Sequence, residues 1–147
     1  MKIVLGCDHG GAELKNAIRE HLKERDFEVL DLGIEPGEAI DYPIMAEKLC
    51  KEIIEGEAEL GILCCGTGIG MSMAANKIKG IRAACCSDTF SARFTRLHND
   101  ANVLCLGGRV VGAGLAIDMV DFFVDTEFEG GRHQRRVDLI KDIEERY

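Results

Sequence analysis

The sequence predicts an α/β fold, namely a Rossmann-like three-layer α/β/α sandwich around a five-stranded parallel sheet. Short apolar runs alternate along the whole chain with helical segments of about ten residues or more, which is the pattern of βα units. The apolar runs are not interrupted by alternating polar residues, as expected for parallel strands buried on both faces. The 147 residues contain no internal repeat and no linker, so we expect a single domain over residues 1–147.

Local signals place each element of this fold. Strands are predicted at residues 2–6, 27–32, 60–64, 81–86 and 102–106, and helices at residues 12–25, 44–54, about 71–77, 89–97, 111–123 and 132–147. Pro43 suits the first turn of the second helix, and Asp88 is placed to cap the fourth. His98–Asp100 is predicted to be a polar turn, and the glycine pair Gly130–Gly131 separates the last two helices.

Charge and composition exclude several classes of function. The formal net charge of −8 disfavours binding to nucleic acid or to an anionic membrane. No stretch approaches the ~18 apolar residues of a membrane helix. Strand-like sequence begins at Lys2, so we expect a cytoplasmic protein without a signal peptide. The seven cysteines show no zinc-type spacing, and six of them lie in or at the end of apolar runs. We expect such cysteines to be reduced and to act as small core residues.

The strongest candidate for chemistry is Cys65, which directly precedes the glycine turn Gly66–Gly70. A buried strand, a tight turn and a helix start would point free backbone N–H groups at a ligand and favour a thiolate. A base beside N–H donors is what proton abstraction next to a carbonyl requires. The alternative is a phosphate-binding turn with an incidental cysteine. The glycine spacing is G-x-G-x-G, however, and differs from the dinucleotide pattern.

Polar residues after other strands would meet the glycine turn, because the carboxyl ends of parallel strands share one edge of the sheet. Asp8 and His9 follow the first strand and could bind a sugar hydroxyl or ring oxygen. Alternatively, Asp8 caps a helix that begins near Gly10. Arg109 follows the last strand, and the polar pair His98–Asn99 adds two further candidates.

Two arginines offer a place for a phosphate. Arg132 and Arg136 lie four residues apart in the predicted last helix and therefore share a face. Their guanidinium groups can hold a phosphate through paired hydrogen bonds. The alternative is a solvated patch or ion pairs with nearby acidic residues, namely Asp121, Asp125, Glu127 and Glu129. Val137 and Ile140 are expected to form the buried stripe of this helix.

Seven motifs, in order and at fitting spacing, point to one family. They are Gly6–Gly10, Asp41–Pro43, Cys65–Gly70, Ala75–Lys77 with Gly80–Arg82, His98–Asp100, Gly107–Val110 and Gly130–Arg136. With these motifs the chain resembles, over almost its full length, ribose-5-phosphate isomerase type B. That family also contains galactose- and allose-6-phosphate isomerases.

The resemblance implies an isomerase of the pentose phosphate pathway that interconverts ribose 5-phosphate and ribulose 5-phosphate through an enediolate, without metal or cofactor. It implies Cys65 as the base that moves a proton between C1 and C2, and His98 as the group that opens the furanose ring. Thr67 would relay a proton or steady the thiolate. The other implied substrate contacts are Asp8, His9, Tyr42, Gly66, Gly68, Ile69, Gly70, Asn99, Arg109, Arg132 and Arg136.

The resemblance also implies a homodimer with active sites at the interface, each built from both subunits. We expect the C-terminal helix, about residues 132–147, to lie at that interface. Two other functions stay open. A hexose 6-phosphate isomerase, acting on allose 6-phosphate or galactose 6-phosphate, would use the same catalytic residues. A non-catalytic nucleotide- or phosphate-binding module would not depend on Cys65. A redox role for Cys64–Cys65 is disfavoured, because consecutive strand residues face opposite sides.

Overall fold

A computed structural model describes all residues of the chain, 1–147, and contains one five-stranded sheet with the strand order β2-β1-β3-β5-β4. All four strand pairs are parallel, which confirms the predicted fold class. The strands are β1 (Lys2–Cys7), β2 (Glu28–Asp31), β3 (Leu60–Cys65), β4 (Ala83–Cys85) and β5 (Val103–Gly107). The helices are α1 (Ala12–Glu24), α2 (Tyr42–Ile54), α3 (Ile69–Ala75), α4 (Thr89–Asn99), α5 (Ala113–Asp125) and α6 (Arg132–Arg146).

Apolar side chains cover both faces of the sheet, because successive strand residues point to opposite sides. Cys64 belongs to the larger core, which lies under α1 and α5. Its neighbour Cys65 belongs to the smaller core, which lies under α2 and α3. The adjacent thiols therefore face different layers, and only one of them can contribute to a site on the α2–α3 side.

The strand order creates a switch point between β1 and β3. After β1 the chain adds β2 on one side of the sheet. After β3 it crosses to β4 on the other side, and β5 then lies between β3 and β4. Crevices outside the carboxyl ends of strands at such a point are where open α/β sheets bind ligands. The backbone is tightly packed there: the Asp8 N–H donates to the Cys64 carbonyl at 3.1 Å. A β-carbon on Gly11 would collide with the backbone of Cys64, so this approach requires glycine.

Three expectations from the sequence are corrected. His98 and Asn99 do not form a turn, since α4 continues through Asn99 and ends at Asp100, whose φ is 46°. The Asp100 carboxylate accepts from Arg82 and Arg96, which fixes this helix end two residues later than predicted. Ile140 is 46% exposed and is not part of a buried stripe, whereas Val137 is buried.

The third correction concerns the cysteines, because Cys85 at the end of β4 is exposed. The other six are buried and free, as expected for core residues. Burial raises the pKa of Cys50 to about 12, and burial, partly offset by Lys15, raises the pKa of Cys7 to about 11. Thiols in such surroundings stay protonated at neutral pH. None of the helices combines the length and apolar character that crossing a membrane requires.

Candidate active site

Cys65 ends β3 with its thiol directed at the glycine turn. Its Sγ accepts a hydrogen bond from the Gly68 N–H at 3.0 Å, and the residue is 4% exposed. Gly68 has a φ of 81° and immediately precedes α3, so the turn needs a left-handed residue here. An N–H donor stabilises negative charge on sulfur. The turn therefore points a backbone N–H donor at the Cys65 sulfur.

Neighbouring segments hold the glycine turn in place. The Gly108 N–H donates to the Cys65 carbonyl at 2.7 Å, and the Arg109 N–H donates to the Gly66 carbonyl at 3.0 Å. A β-carbon on Gly70 would lie 2.8 Å from the Tyr42 ring. The structure thus brings two of the predicted contacts, Tyr42 and Arg109, against the turn.

Asp8 and His9 stand beside the turn, at the end of β1. The Asp8 carboxylate is buried and accepts from the Gly10 N–H at 2.8 Å. It does not cap a helix, because α1 begins only at Ala12, with Gly11 at the cap position. The exposed His9 lines a cleft of about 310 Å³, and Arg109 lines the same cleft. The first group of predicted site residues, which comprises Asp8, His9, Tyr42, the stretch Cys65–Gly70 and Arg109, therefore meets at one edge of the sheet.

The remaining predicted residues form a second group at the opposite edge. His98 and Asn99 are the last residues of α4, and β5 starts only at Val103. The Asn99 carbonyl accepts from Arg82, one residue before β4, at 3.1 Å. Five strand residues span roughly 16 Å, so His98 lies about one strand length from the end of β5, where the glycine turn packs. Within one chain, the structure does not bring His98 to Cys65.

Arg132 and Arg136, at the start of α6, belong to this second group. His133 lies between them and stacks on His98, with ring centroids 4.0 Å apart and an angle of 11° between the planes. The Arg136 Nη1 lies 3.5 Å from His133 Nδ1. Burial, together with the neighbouring His98 and Arg132, lowers the pKa of His133 below its usual value. This lowered pKa favours the neutral form of the His133 imidazole.

The two arginines make no ion pair. Three of the four acidic residues suggested as alternative partners are engaged elsewhere: Asp121 and Asp125 bind Arg25 at 2.6 and 2.9 Å, and Glu129 approaches His98 and His133. The fourth, Glu127, is exposed. Two exposed guanidinium groups without a carboxylate partner remain free to bind an anion. Within the single chain, neither arginine pairs with a carboxylate.

Reasoning from the sequence missed two residues that touch the second group, His133 and Glu129. Glu129 directly precedes the glycine pair Gly130–Gly131, and His133 follows Arg132. The stacking of His133 on His98 depends on how α6 packs against α4, which no local pattern reveals. One signal was available. His133 and Val137 lie four residues apart, so a helix that buries Val137 also buries His133.

Comparison with known proteins identifies the family to which the chain belongs. The sequence pattern of the ribose/galactose isomerase family matches residues 3–140. The chain belongs to this family. Ribose-5-phosphate isomerase B of Escherichia coli is 51% identical over 145 residues, which cover 99% of this chain and 97% of that protein.

Solved structures of the family superpose closely on the chain. Ribose-5-phosphate isomerase B of Clostridium thermocellum has a TM-score of 0.98 and 51% identity, and the match covers 100% of this chain and 99% of the other. The enzyme of Mycoplasma genitalium, solved with bound ribulose 5-phosphate, has a TM-score of 0.93 and 44% identity. That match covers 99% of this chain and 97% of the Mycoplasma chain.

Proposed function

We propose that the protein is a ribose-5-phosphate isomerase, an aldose–ketose isomerase that interconverts ribose 5-phosphate and ribulose 5-phosphate. The observation that carries the proposal is the Cys65 thiol hydrogen-bonded to the glycine turn at the switch point of the sheet. Two full-length family members at about half identity carry this activity in their names, and a third was solved with the product sugar bound. These relatives favour the pentose phosphate over a hexose 6-phosphate.

The mechanism follows from the chemistry of the first group. Cys65 as thiolate removes the proton from C2 of the open-chain aldose and returns it to C1, and the intermediate is an enediolate. N–H groups of the Gly66–Gly70 turn stabilise the charge that develops on the substrate oxygens. Thr67, whose hydroxyl accepts from the Ile69 N–H at 3.3 Å, relays the proton between those oxygens. Asp8, His9 and Tyr42 hold the sugar beside the turn.

The second group supplies ring opening and phosphate binding. His98 transfers a proton to open the furanose ring, and Asn99 binds the sugar beside it. Arg132 and Arg136 bind the phosphate, and this grip orients C1 and C2 over the thiol. Both arginines are exposed and make no carboxylate pair in an otherwise acidic protein, which supports this role.

Because the two groups lie at opposite edges of the sheet, we propose a homodimer in which each active site combines the first group of one subunit with the second group of the other. If two copies of α4 pack antiparallel about a twofold axis, each His98 approaches the glycine turn of the partner subunit. Phe90, which is 68% exposed and stacks on Phe94, would then be buried. The exposed apolar residues of α6, Leu139, Ile140 and Ile143, support a place for this helix at the interface.

Seven free cysteines fit a reducing compartment, so we place the enzyme in the cytoplasm. The decisive experiment is a side-by-side isomerase assay on ribose 5-phosphate, allose 6-phosphate and galactose 6-phosphate. We expect the highest kcat/KM with ribose 5-phosphate. Preference for a hexose phosphate would contradict the substrate assignment, and tight nucleotide binding without turnover would contradict the enzyme assignment.

Cys65→Ala tests the role of the base in the same assay. We expect kcat to fall by at least ~10³-fold, within the range that general base catalysis contributes, while ribulose 5-phosphate still binds. Cys85→Ser is the matched control, because Cys85 is an exposed thiol whose Sγ lies 3.7 Å from the Thr67 carbonyl. Equal losses in both variants would show that the assay reports disturbance of the turn rather than loss of the base.

A further inference from the structure

Three side chains with metal-binding atoms converge between α4 and α6. The Glu129 Oε2 lies 3.7 Å from His98 Nε2 and 3.9 Å from His133 Nε2. One ligand atom from each of the three residues lies within 4.8 Å of the other two. Two imidazoles and a carboxylate are a donor set found in three-ligand zinc sites that keep a fourth position open.

An unsatisfied buried nitrogen lies in the middle of this cluster. His133 is 3% exposed, and its Nε2 has no hydrogen-bond partner. A buried polar atom without a partner costs about 1–3 kcal/mol, so its retention needs an explanation. The Glu129 carboxylate lies 3.9 Å from this nitrogen, and the His98 ring stacks on the His133 ring, so the two other possible ligands adjoin it. The missing partner of His133 is therefore expected inside the cluster.

The backbone holds the three residues near one another before any ion arrives. The Glu129 N–H donates to the Leu97 carbonyl at 3.1 Å, which ties Glu129 to the last turn of α4. The His133 N–H donates to the Gly130 carbonyl at 3.0 Å and starts α6 beside it. The entropic cost of gathering the ligands is thus largely met by folding.

We propose that His98, Glu129 and His133 form a binding site for a divalent transition-metal ion of the zinc class. Ligand atoms around a tetrahedral zinc ion lie about 3.4 Å apart, so each pair must close by less than about 1.5 Å. Because the two imidazole rings are stacked at 11°, the His98 ring must also turn out of the stack for both nitrogens to point at one ion. The Glu129 side chain is 55% exposed and that of His98 is 33% exposed, so both are free to make this adjustment. Imidazole ligands favour zinc, copper and nickel over magnesium, which prefers an all-oxygen shell.

The site has a consequence that rests on the proposed function. A metal ion bound to His98 Nε2 occupies the nitrogen that would transfer the proton in ring opening. The ion therefore inhibits the isomerase reversibly, and chelation restores activity. Magnesium at the same concentration leaves the rate unchanged.

Binding is tested first, without reference to activity, by titrating the whole protein with Co²⁺ and Zn²⁺. The test variant is Glu129→Gln, and Glu127→Gln is the matched control, because Glu127 is exposed and lies outside the cluster. We expect Glu129→Gln to weaken Co²⁺ binding at least ~10-fold, a loss that even outer-shell changes produce at metal sites. Glu127→Gln should bind like the wild type.

Cysteines are the competing ligands, so the titration is repeated in a Cys85→Ser background. A thiolate-to-cobalt absorption band that disappears with Cys85 would overturn the proposal, as would equal affinities of Glu129→Gln and Glu127→Gln. Because Glu129 is exposed, its substitution should leave the fold intact, and circular dichroism verifies this. His133→Asn gives a second test, with binding lost and the fold checked in the same way.

Isomerase assays of the same variants distinguish failure of the metal-site proposal from failure of the proposed function. Each variant is assayed with zinc and with EDTA, and its rate in zinc is divided by its own rate in EDTA. We expect strong inhibition of the wild type and at least ~10-fold weaker zinc sensitivity in Glu129→Gln. Cobalt binding that depends on Glu129 in a protein without isomerase activity would refute the enzyme assignment alone. Full isomerase activity with zinc sensitivity unchanged by Glu129→Gln would refute the metal site alone.

Discussion

The two groups of predicted site residues differ in whether their polar and charged atoms find partners within a single chain. Around Cys65, the thiol, the Asp8 carboxylate and the Arg109 amide all have hydrogen-bond partners within the chain. Around His98, the His133 Nε2 has none, and Arg132 and Arg136 have no counter-charge. The first group is preorganised by the sheet. We propose that the second is completed from outside the chain, by a partner subunit, a phosphate or a metal ion.

The largest effect is expected when a substitution in the first group and one in the second group are carried by different chains. Cys65→Ala and His98→Asn should each lose most turnover as homodimers. In an equal mixture after subunit exchange, half of the dimers are mixed and each holds one intact site, so activity should return to about a quarter of wild type. The measurement is turnover before and after exchange.

The same mixture also tests whether each active site is shared between two chains. A dimer whose sites were complete within single chains would gain nothing from mixing, since every site would still carry one of the two substitutions. Recovery that depends on protein concentration, together with a dimeric mass by light scattering, would support the split site. A monomeric mass with full wild-type activity would contradict it.

The next largest effect concerns the arginines of the second group. Arg132→Ala and Arg136→Ala should each raise the KM for ribose 5-phosphate about 10- to 100-fold, because each removes a charged hydrogen bond worth ~1.5–3 kcal/mol. The effect on kcat should be smaller, because the phosphate is remote from C1 and C2. Steady-state kinetics over a range of salt concentrations measure both parameters.

Arg135→Ala is the control for this pair, since it carries the same charge one position along α6 and is also exposed. Its KM should stay within about twofold of wild type, because a single surface charge contributes little. If Arg135→Ala raises the KM as much as Arg136→Ala, the effect is a general loss of positive potential. The phosphate assignment would then fail.

The fold and the first group could be predicted from sequence because local patterns determine both. Alternating apolar runs specify the sheet, and the carboxyl ends of its strands then bring Asp8, Cys65 and Arg109 together. The second group could not be predicted in this way. The extension of α4 to Asn99 depends on Arg82 and Arg96 binding Asp100, and the stacking of His133 on His98 depends on the packing of α6. Arg82 lies 18 residues before Asp100, and His133 lies in a different helix from His98, so neither arrangement leaves a periodic signal in the sequence.

The smallest effect is expected at the turn that supports Cys65. A substitution there separates the effect of backbone strain on stability from its effect on kcat. Gly68→Ala should lower the free energy of unfolding by about 1–3 kcal/mol. An alanine there must adopt a φ of 81°, and its β-carbon would lie 3.0 Å from the Leu106 backbone. Its kcat should also fall, because the shifted Gly68 N–H no longer meets the Cys65 Sγ. Urea unfolding and turnover are measured on the same preparation.

Gly56→Ala is the matched control, with a φ of 79° and no atom within 4 Å of the added β-carbon. It should share the conformational cost of about 1–2 kcal/mol but keep the wild-type kcat, because Gly56 lies after α2, away from the turn. A fall in kcat in both variants would mean that turnover follows global stability. A fall in kcat in Gly68→Ala alone would link turnover to the single N–H that meets the Cys65 thiol. It would also support the claim that the first group is complete before substrate binds.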